Sequence, residues 1–511
     1  MIPSLTSSLT FIVTLAIASS AMSAETLLKL PPMFGNHMVL QRDRVVPVWG
    51  WTKPGGEVTV EFASQRKTGK ADAEGKWMVK LDPLTASVKP REMQITQGTE
   101  ALVFTDILVG DVWLCSGQSN MFFRMNKVEN SQQEIAAANQ PSVRFFTAKE
   151  KFAQNPASDV DGAWKPVSPT TAAECSAVAF YFATALHQKL GVPMGLLVSA
   201  VGGTRIETWM QAATLTNLGE AGPSIEKWKD VSPAEFEKIA ADYRSYQYRR
   251  DKPHWPLDGD SNKQTKLKPP SLRCHDCPSA LHNGMIAPLQ PFAIRGAIWY
   301  QGEANSGRPG PYETLLPALI ADWRQAWGED LPFLFVQLAP FQGTHPAFRE
   351  AQLRIWQKTP RTAMVVTTDV GDAKDIHPTR KRPVGERLAL AARALSHGEK
   401  LEYSGPVFKS MSVERDRAVV SFTHVGSGLM AKGDSLEGIA LADADGKFHP
   451  ARGVIEGSTV VVTSSKVANP TAVRYGWAMV PNGNLFNREG LPAAPFRSDP
   501  PADTKRAVDS E

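Results

Sequence analysis

From about Glu25 to Thr105 the chain alternates apolar and polar positions in short runs. Val45, Val46, Val48 and Trp49 form an apolar run, and Pro54-Gly55-Gly56 interrupts it. Val58, Val60 and Phe62 then alternate with polar neighbours, and Asp72 to Gly75 makes another turn before Trp77 and Val79. A period of two between turn signals predicts strands, here those of a small β-sandwich over 25–105. At Ile107 the pattern changes to a mostly apolar run that lasts to Cys115, as a strand covered on both faces requires. Further buried strands are predicted at Leu196–Val198, Ile294–Tyr300, Phe333–Leu338 and Met364–Val366. Helical spacing is found at Ala177–Leu190, Tyr312–Trp327, Ala347–Gln357 and Val384–Leu395. Buried strands alternating with helices predict an α/β domain over 106–400, a parallel sheet in three layers. The pattern weakens and charge rises between about 210 and 274, which reads as an insertion. Over 401–499 the β signature returns, with Val419, Val420 and Phe422 and then Val460-Val461-Val462 between turns rich in Gly and Asp. Residues 500–511 form a polar tail.

The first 24 residues carry a different signal. Leu9 to Ala18 is an apolar stretch of the length of a signal-peptide core, followed by the small residues Ser19, Ser20, Ala21, Ser23 and Ala24. It predicts export, to the periplasm or beyond, with cleavage near Ala24. No stretch reaches the roughly 18 apolar residues of a membrane span. Composition narrows the reading further. With 511 residues, 42% hydrophobic and 21% charged, the chain has material for large cores. Its 56 basic and 52 acidic residues leave a net charge of +4 with no basic cluster, so no nucleic-acid partner is expected. Four Cys in this length do not make a disulfide scaffold.

In a parallel α/β sheet ligands bind at the carboxyl ends of the strands. The first such strand is followed by Ser116-Gly117-Gln118-Ser119-Asn120-Met121, the second by Val201-Gly202-Gly203-Thr204, and the third by Gln301-Gly302-Glu303-Ala304-Asn305. Asp372, Asp375 and His377 precede the last helix. One rim therefore collects a nucleophile, oxyanion donors, a base and acids, the parts of acyl transfer. Ser119 is not in a Gly-x-Ser-x-Gly elbow, because Met121 stands two positions after it. A lone serine there is by itself an ordinary helix cap.

Taken together, Gly117-Gln118-Ser119-Asn120-Met121, Gly202-Gly203-Thr204, Gln301-Gly302-Glu303-Ala304-Asn305 and Asp375-Ile376-His377-Pro378 resemble the ordered blocks of the SGNH hydrolases, and more narrowly the sialate O-acetylesterase family. Flanking stretches agree, among them His37 to Arg42, Pro47 to Gly50, Leu281 to Leu289 and Tyr475-Gly476-Trp477. The resemblance covers about 30 to 499. It implies an SGNH-type α/β domain between two β domains, and an exported serine esterase that removes O-acetyl groups from carbohydrate. It also implies that Ser119 attacks the ester carbonyl and that His377 takes its proton. Gly203 N–H, the Asn305 amide and Ser119 N–H would hold the oxyanion. The general pattern has Asp three residues before His; that position is Lys374, so Asp375, Asp372 or a backbone carbonyl is left to orient His377.

Glu303 and Gln118 are expected behind the reacting groups, with Glu303 holding Gln118 or Arg205. A retaining glycosidase using Glu303 and an Asp leaves Ser119 and Asn305 unexplained. A non-catalytic carbohydrate-binding protein leaves the whole set unexplained, and an acetyl xylan or pectin esterase remains the alternative within esterases. Cys274-His275-Asp276-Cys277, with His282 nearby, lacks a second ligand pair at zinc-finger spacing, so a local disulfide or two thiols is expected rather than metal. Cys115 and Cys175 read as core residues. Trp209, Trp255 and Trp299 are candidates for a sugar platform, although core packing accounts for most of the 13 Trp. No cofactor is implied, since the chain itself supplies nucleophile, base and donors.

Overall fold

The structure is a computed structural model that describes residues 27–219, 222–250 and 272–500. The expected export signal at 1–24, Trp255 and residues 501–511 of the polar tail lie outside the described residues.

A single strand, Glu100–Gly117, organises the molecule. Its first half pairs antiparallel with Ser87–Gln97 in the N-terminal β region. Its second half is the centre of the α/β sheet, whose strand order is 362–365, 333–336, 296–300, 100–117, 194–200, 140–147, 164–167. All neighbours are parallel except the last pair. The change from alternating to continuous burial along Glu100–Gly117 follows its change of surroundings. In the N-terminal region Val46–Trp51 pairs with Lys76–Leu81, and Glu57–Phe62 pairs with Gln65–Lys70 and Ser87–Gln97. Asp111, at the base of the α/β half, is fully buried and receives Arg42 and Arg295, which hold its carboxyl below the usual range against the opposing effect of burial.

Helices cover both sheet faces. Trp113 meets Phe182 of helix Ala177–Leu190 edge-on at 5.1 Å. Trp299 is in register with Ser116, three positions from Trp113, so it points to the other face and meets Trp323 of helix Pro309–Trp327 at 5.6 Å. Helix Arg382–His397 packs beside Ala177–Leu190, and Pro346–Lys358 beside Pro309–Trp327. The helix ends follow local chemistry. Ser176 accepts a bond from Ala179 N–H at the start of Ala177–Leu190, and Gly191 ends it with φ +68°.

The C-terminal region builds a four-stranded sheet from Val407–Glu414, Arg417–Thr423, Thr459–Thr463 and Arg452–Glu456, beside smaller sheets. Its core, with Val420, Val460, Val462 and Tyr475, is separate from the one shared by the N-terminal β region and the α/β sheet. Arg349 spans the junction. It is fully buried and donates to the carbonyls of Leu338, Ala339, Ala478 and Met479. Burial pushes its guanidinium down to about 10. No described helix is long and apolar enough to cross a membrane. Trp209 and Trp299 are fully buried and pack edge to face, so they belong to the core rather than to a sugar platform.

Candidate active site

Strand order reverses at Glu100–Gly117, with Met194–Ala200 on one side and Gly296–Tyr300 on the other. Ser119 stands two residues beyond that strand, where crevices form in open α/β sheets. Gly117 makes the approach possible: its φ is +134°, and a Cβ there would lie 2.2 Å from the Tyr300 carbonyl oxygen. The crevice is a cleft of about 970 Å³ lined by Gln118, Ser119, Gly203, Arg205, Glu303 and His377, among others.

His377 Nε2 lies 2.8 Å from Ser119 Oγ, although 258 positions separate them in sequence. Burial lowers the His377 pKa below the ordinary histidine value, with Lys381 and Lys127 acting in the same sense and Asp375 against it. Asp375 Oδ1 accepts the backbone N–H of His377 at 2.8 Å and stands 3.7 Å from the ring Nδ1. That distance gives Coulombic attraction without a hydrogen bond to the ring. Asp372 Oδ1 accepts the N–H groups of Lys374 and Asp375 and shapes the loop that carries the histidine.

Gly202 and Gly203 follow strand Met194–Ala200 and pass close to the serine. A Cβ on Gly202 would lie 3.3 Å from Ser119 Cβ, and Gly203 has φ +73°. Among the described residues neither Ser119 N–H nor Gly203 N–H is taken by another group. Asn305 is buried behind the wall. Its oxygen accepts from Ile206 N–H and the Gln301 amide, and its Nδ2 donates one bond, at 2.9 Å, to Glu207. Gln118 Oε1 accepts from Gly302 and Ala304 N–H, so this side chain ties the serine loop to the Glu303 loop. The carboxylate of Glu303 meets Asn120 rather than Gln118 or Arg205, and burial raises its pKa.

His275, read from sequence beside a cysteine pair, lies on the cleft wall and meets Tyr243 Oη at 3.0 Å. Tyr243 belongs to helix Pro233–Arg250, so the 210–274 insertion reaches the cleft. Cys274 and Cys277 are both buried and form no disulfide with each other, and Cys115 and Cys175 are buried thiols. Two residues of this site escaped the sequence reading. Asn120 lies inside the quoted serine block, but nothing in the pattern distinguishes it from a loop residue. Lys381 looks like one more cation in the Arg380-Lys381-Arg382 run, yet it is almost wholly buried and pushed down to about 7 by that burial.

Comparison with known proteins tests what this geometry serves. A family profile described as "Carbohydrate esterase, sialic acid-specific acetylesterase" matches residues 109–229 and 279–394. The sialate O-acetylesterase of Mus musculus is 30% identical over 95% of this chain and 97% of its own length. The chain belongs to the sialate O-acetylesterase family. It is a carboxylic ester hydrolase. The human sialate O-acetylesterase is likewise 30% identical, over 90% of each chain. A solved carbohydrate acetylesterase from Xanthomonas citri superposes with a TM-score of 0.79 at 38% identity, covering 92% of this esterase and 99% of that chain. The three-layer α/β architecture between β regions is therefore the expected one for the family.

Proposed function

We propose that this esterase is exported and removes O-acetyl groups from sialic acids through an acetyl-serine intermediate. The observation that carries the chemistry is the 2.8 Å contact of His377 Nε2 with Ser119 Oγ in an open cleft at the strand-order reversal. His377 Nε2 takes the Ser119 proton as Oγ adds to the acetyl carbonyl. The N–H groups of Ser119 and Gly203 receive the oxyanion. Asn305, the third donor expected from sequence, is buried behind the cleft wall and is not among the residues that line it. The tetrahedral intermediate collapses, the C–O bond to the sugar breaks, and the sugar oxygen takes the proton from His377. Water then adds to the acetyl carbonyl with His377 again as base, which releases acetate and restores Ser119. Asp375 favours the imidazolium by charge from 3.7 Å. The cleft lining carries Lys127, Arg205 and Arg273 against Glu150, Asp276 and Glu303, and both arginines pair with Asp276, so Lys127 is the lining cation that pairs with none of these carboxylates and can meet a sugar carboxylate. The names of the mammalian relatives support the same substrate class. Export rests on the pattern of Leu9 to Ala24.

Acetate release from O-acetylated sialic acids, acetyl xylan and acetylated pectin, measured side by side, tests the proposal. The sialic acids are expected to be hydrolysed best. Release from xylan or pectin alone moves the substrate to neutral or plant polysaccharide, and no release from any ester overturns the esterase reading of the cleft.

A further inference from the structure

Building on that catalytic reading, the geometry points to Asn120 as the residue that positions the base, through the carbonyl of the residue preceding it. Asn120 is buried directly beside the nucleophile. Its Nδ2 donates to the Ile376 carbonyl at 3.0 Å and to Glu303 Oε1, and its Oδ1 accepts from Lys381 Nζ. One amide thus ties together the serine loop, the Glu303 loop, the histidine loop and the start of helix Arg382–His397. Its orientation is fixed by its partners. Turned over, its oxygen would face Glu303 Oε1 and the Ile376 carbonyl, two oxygens, and its NH₂ would face the Lys381 nitrogen.

The need for such a residue follows from the histidine's other contacts. Asp375 bonds only the backbone N–H of His377 and stays 3.7 Å from Nδ1, and Asp375 is itself exposed. Among the described residues the ring therefore lacks the carboxylate hydrogen bond that orients a histidine base in a complete triad. Holding the Ile376 carbonyl fixes the peptide plane from which His377 starts, and so the direction of its side chain toward Ser119 Oγ. Glu303 and Lys381 hold Asn120 in turn. Lys381 is held in place by Asn120 Oδ1 and by the faces of Phe123 and Tyr300, with Nζ 4.8 and 5.3 Å from the ring centroids. The charged groups facing His377 are Asp375, Lys381 and Lys127, and Glu303 and Asp375 face Lys381. Lys381 is thus both a support of Asn120 and a cation that disfavours protonation of the base.

The test uses the full chain, a chromogenic acetyl ester and a fluorophosphonate that labels an activated serine. Asn120→Ala should lower kcat by about 10²-fold with KM within about threefold, and slow the labelling of Ser119 in parallel, since a misplaced base loses transition-state geometry rather than binding. Lys381→Gln keeps a donor for Asn120 but removes the charge. The acid limb of its pH profile should move to higher pH. Wild-type kcat and labelling in Asn120→Ala overturn the inference. If Asn120→Ala fails to fold, Asn120→Asp decides: it keeps the oxygen that meets Lys381 but loses the donor to the Ile376 carbonyl, so it should show the same loss of kcat, and wild-type kcat overturns the inference. A wild-type chain whose Ser119 takes no label instead removes the catalytic reading itself, so the two failures are distinct.

Discussion

At the scale of single residues, the site is a serine and a histidine whose companions are arranged indirectly. As the proposed base His377 must be neutral, and burial lowers its pKa below the ordinary histidine value, so activity should persist somewhat below that value and fall as the ring protonates. Asp375 opposes the lowering. Asp375→Asn should therefore move the acid limb of kcat/KM to lower pH, the opposite direction from loss of Lys381, with a smaller fall in plateau rate than loss of the serine. A pH–rate profile checks the sign, and a shift to higher pH would contradict it. Asn305→Ala separates two roles: loss of an oxyanion donor would lower kcat by about 10²–10³ with little change in KM, whereas loss of a buried brace would lower stability instead. It also strips Glu207 and Gln301 of a partner, so a companion thermal melt separates lost chemistry from lost packing.

At the scale of elements, the periodicity carried most of the architecture. Helix Ala177–Leu190 is found at its predicted bounds, and the other predicted strands and helices of the α/β sheet are present with ends shifted by a few residues, except that the strand expected from Ile107 begins at Glu100 and so runs across the expected domain boundary at 105/106. Strand Gln140–Thr147 was not legible, for a physical reason. It contains Pro141 and a buried Arg144 that is satisfied by Asp106, a partner 38 positions away, so its polarity conceals its burial. The site was legible where a strand end exposes a short block, as at Ser119, Gly203 and His377. Asn120 and Lys381 were not, because their roles exist only once four loops meet. The strand-end geometry also yields a prediction. Gly117→Ala places a Cβ against the Tyr300 carbonyl at a backbone angle that side chains rarely adopt, and it should cost about 2–4 kcal/mol of stability with a large loss of activity. Urea unfolding would show it, and a variant as stable as wild type would contradict the close packing described at this strand end.

At the scale of the whole molecule, the N-terminal β region and the α/β sheet share one strand and one core, whereas the C-terminal region has its own core and is attached in part by Arg349. Arg349→Met removes no paired carboxylate but leaves the carbonyls of Leu338, Ala339, Ala478 and Met479 without this donor. Destabilisation by about 2–4 kcal/mol is expected, from several lost bonds to a buried charged donor. Hydrogen exchange should rise first around 338–340 and 477–480, and uniform exchange unchanged from wild type would show that the junction is held otherwise. The connection reaches the base loop, since Gln342 N–H bonds the Ala373 carbonyl and Pro340 packs on Gly371.

The central claim is that Ser119 is the nucleophile and His377 its base, and turnover of an acetyl ester by purified Ser119→Ala, His377→Ala and the double variant tests it most directly. Each single substitution should lower kcat by about 10³ or more, and the double variant should be scarcely worse than either, because the two groups act as a unit. Near-wild-type turnover by Ser119→Ala, at a rate that contaminating enzyme does not explain, would contradict the account.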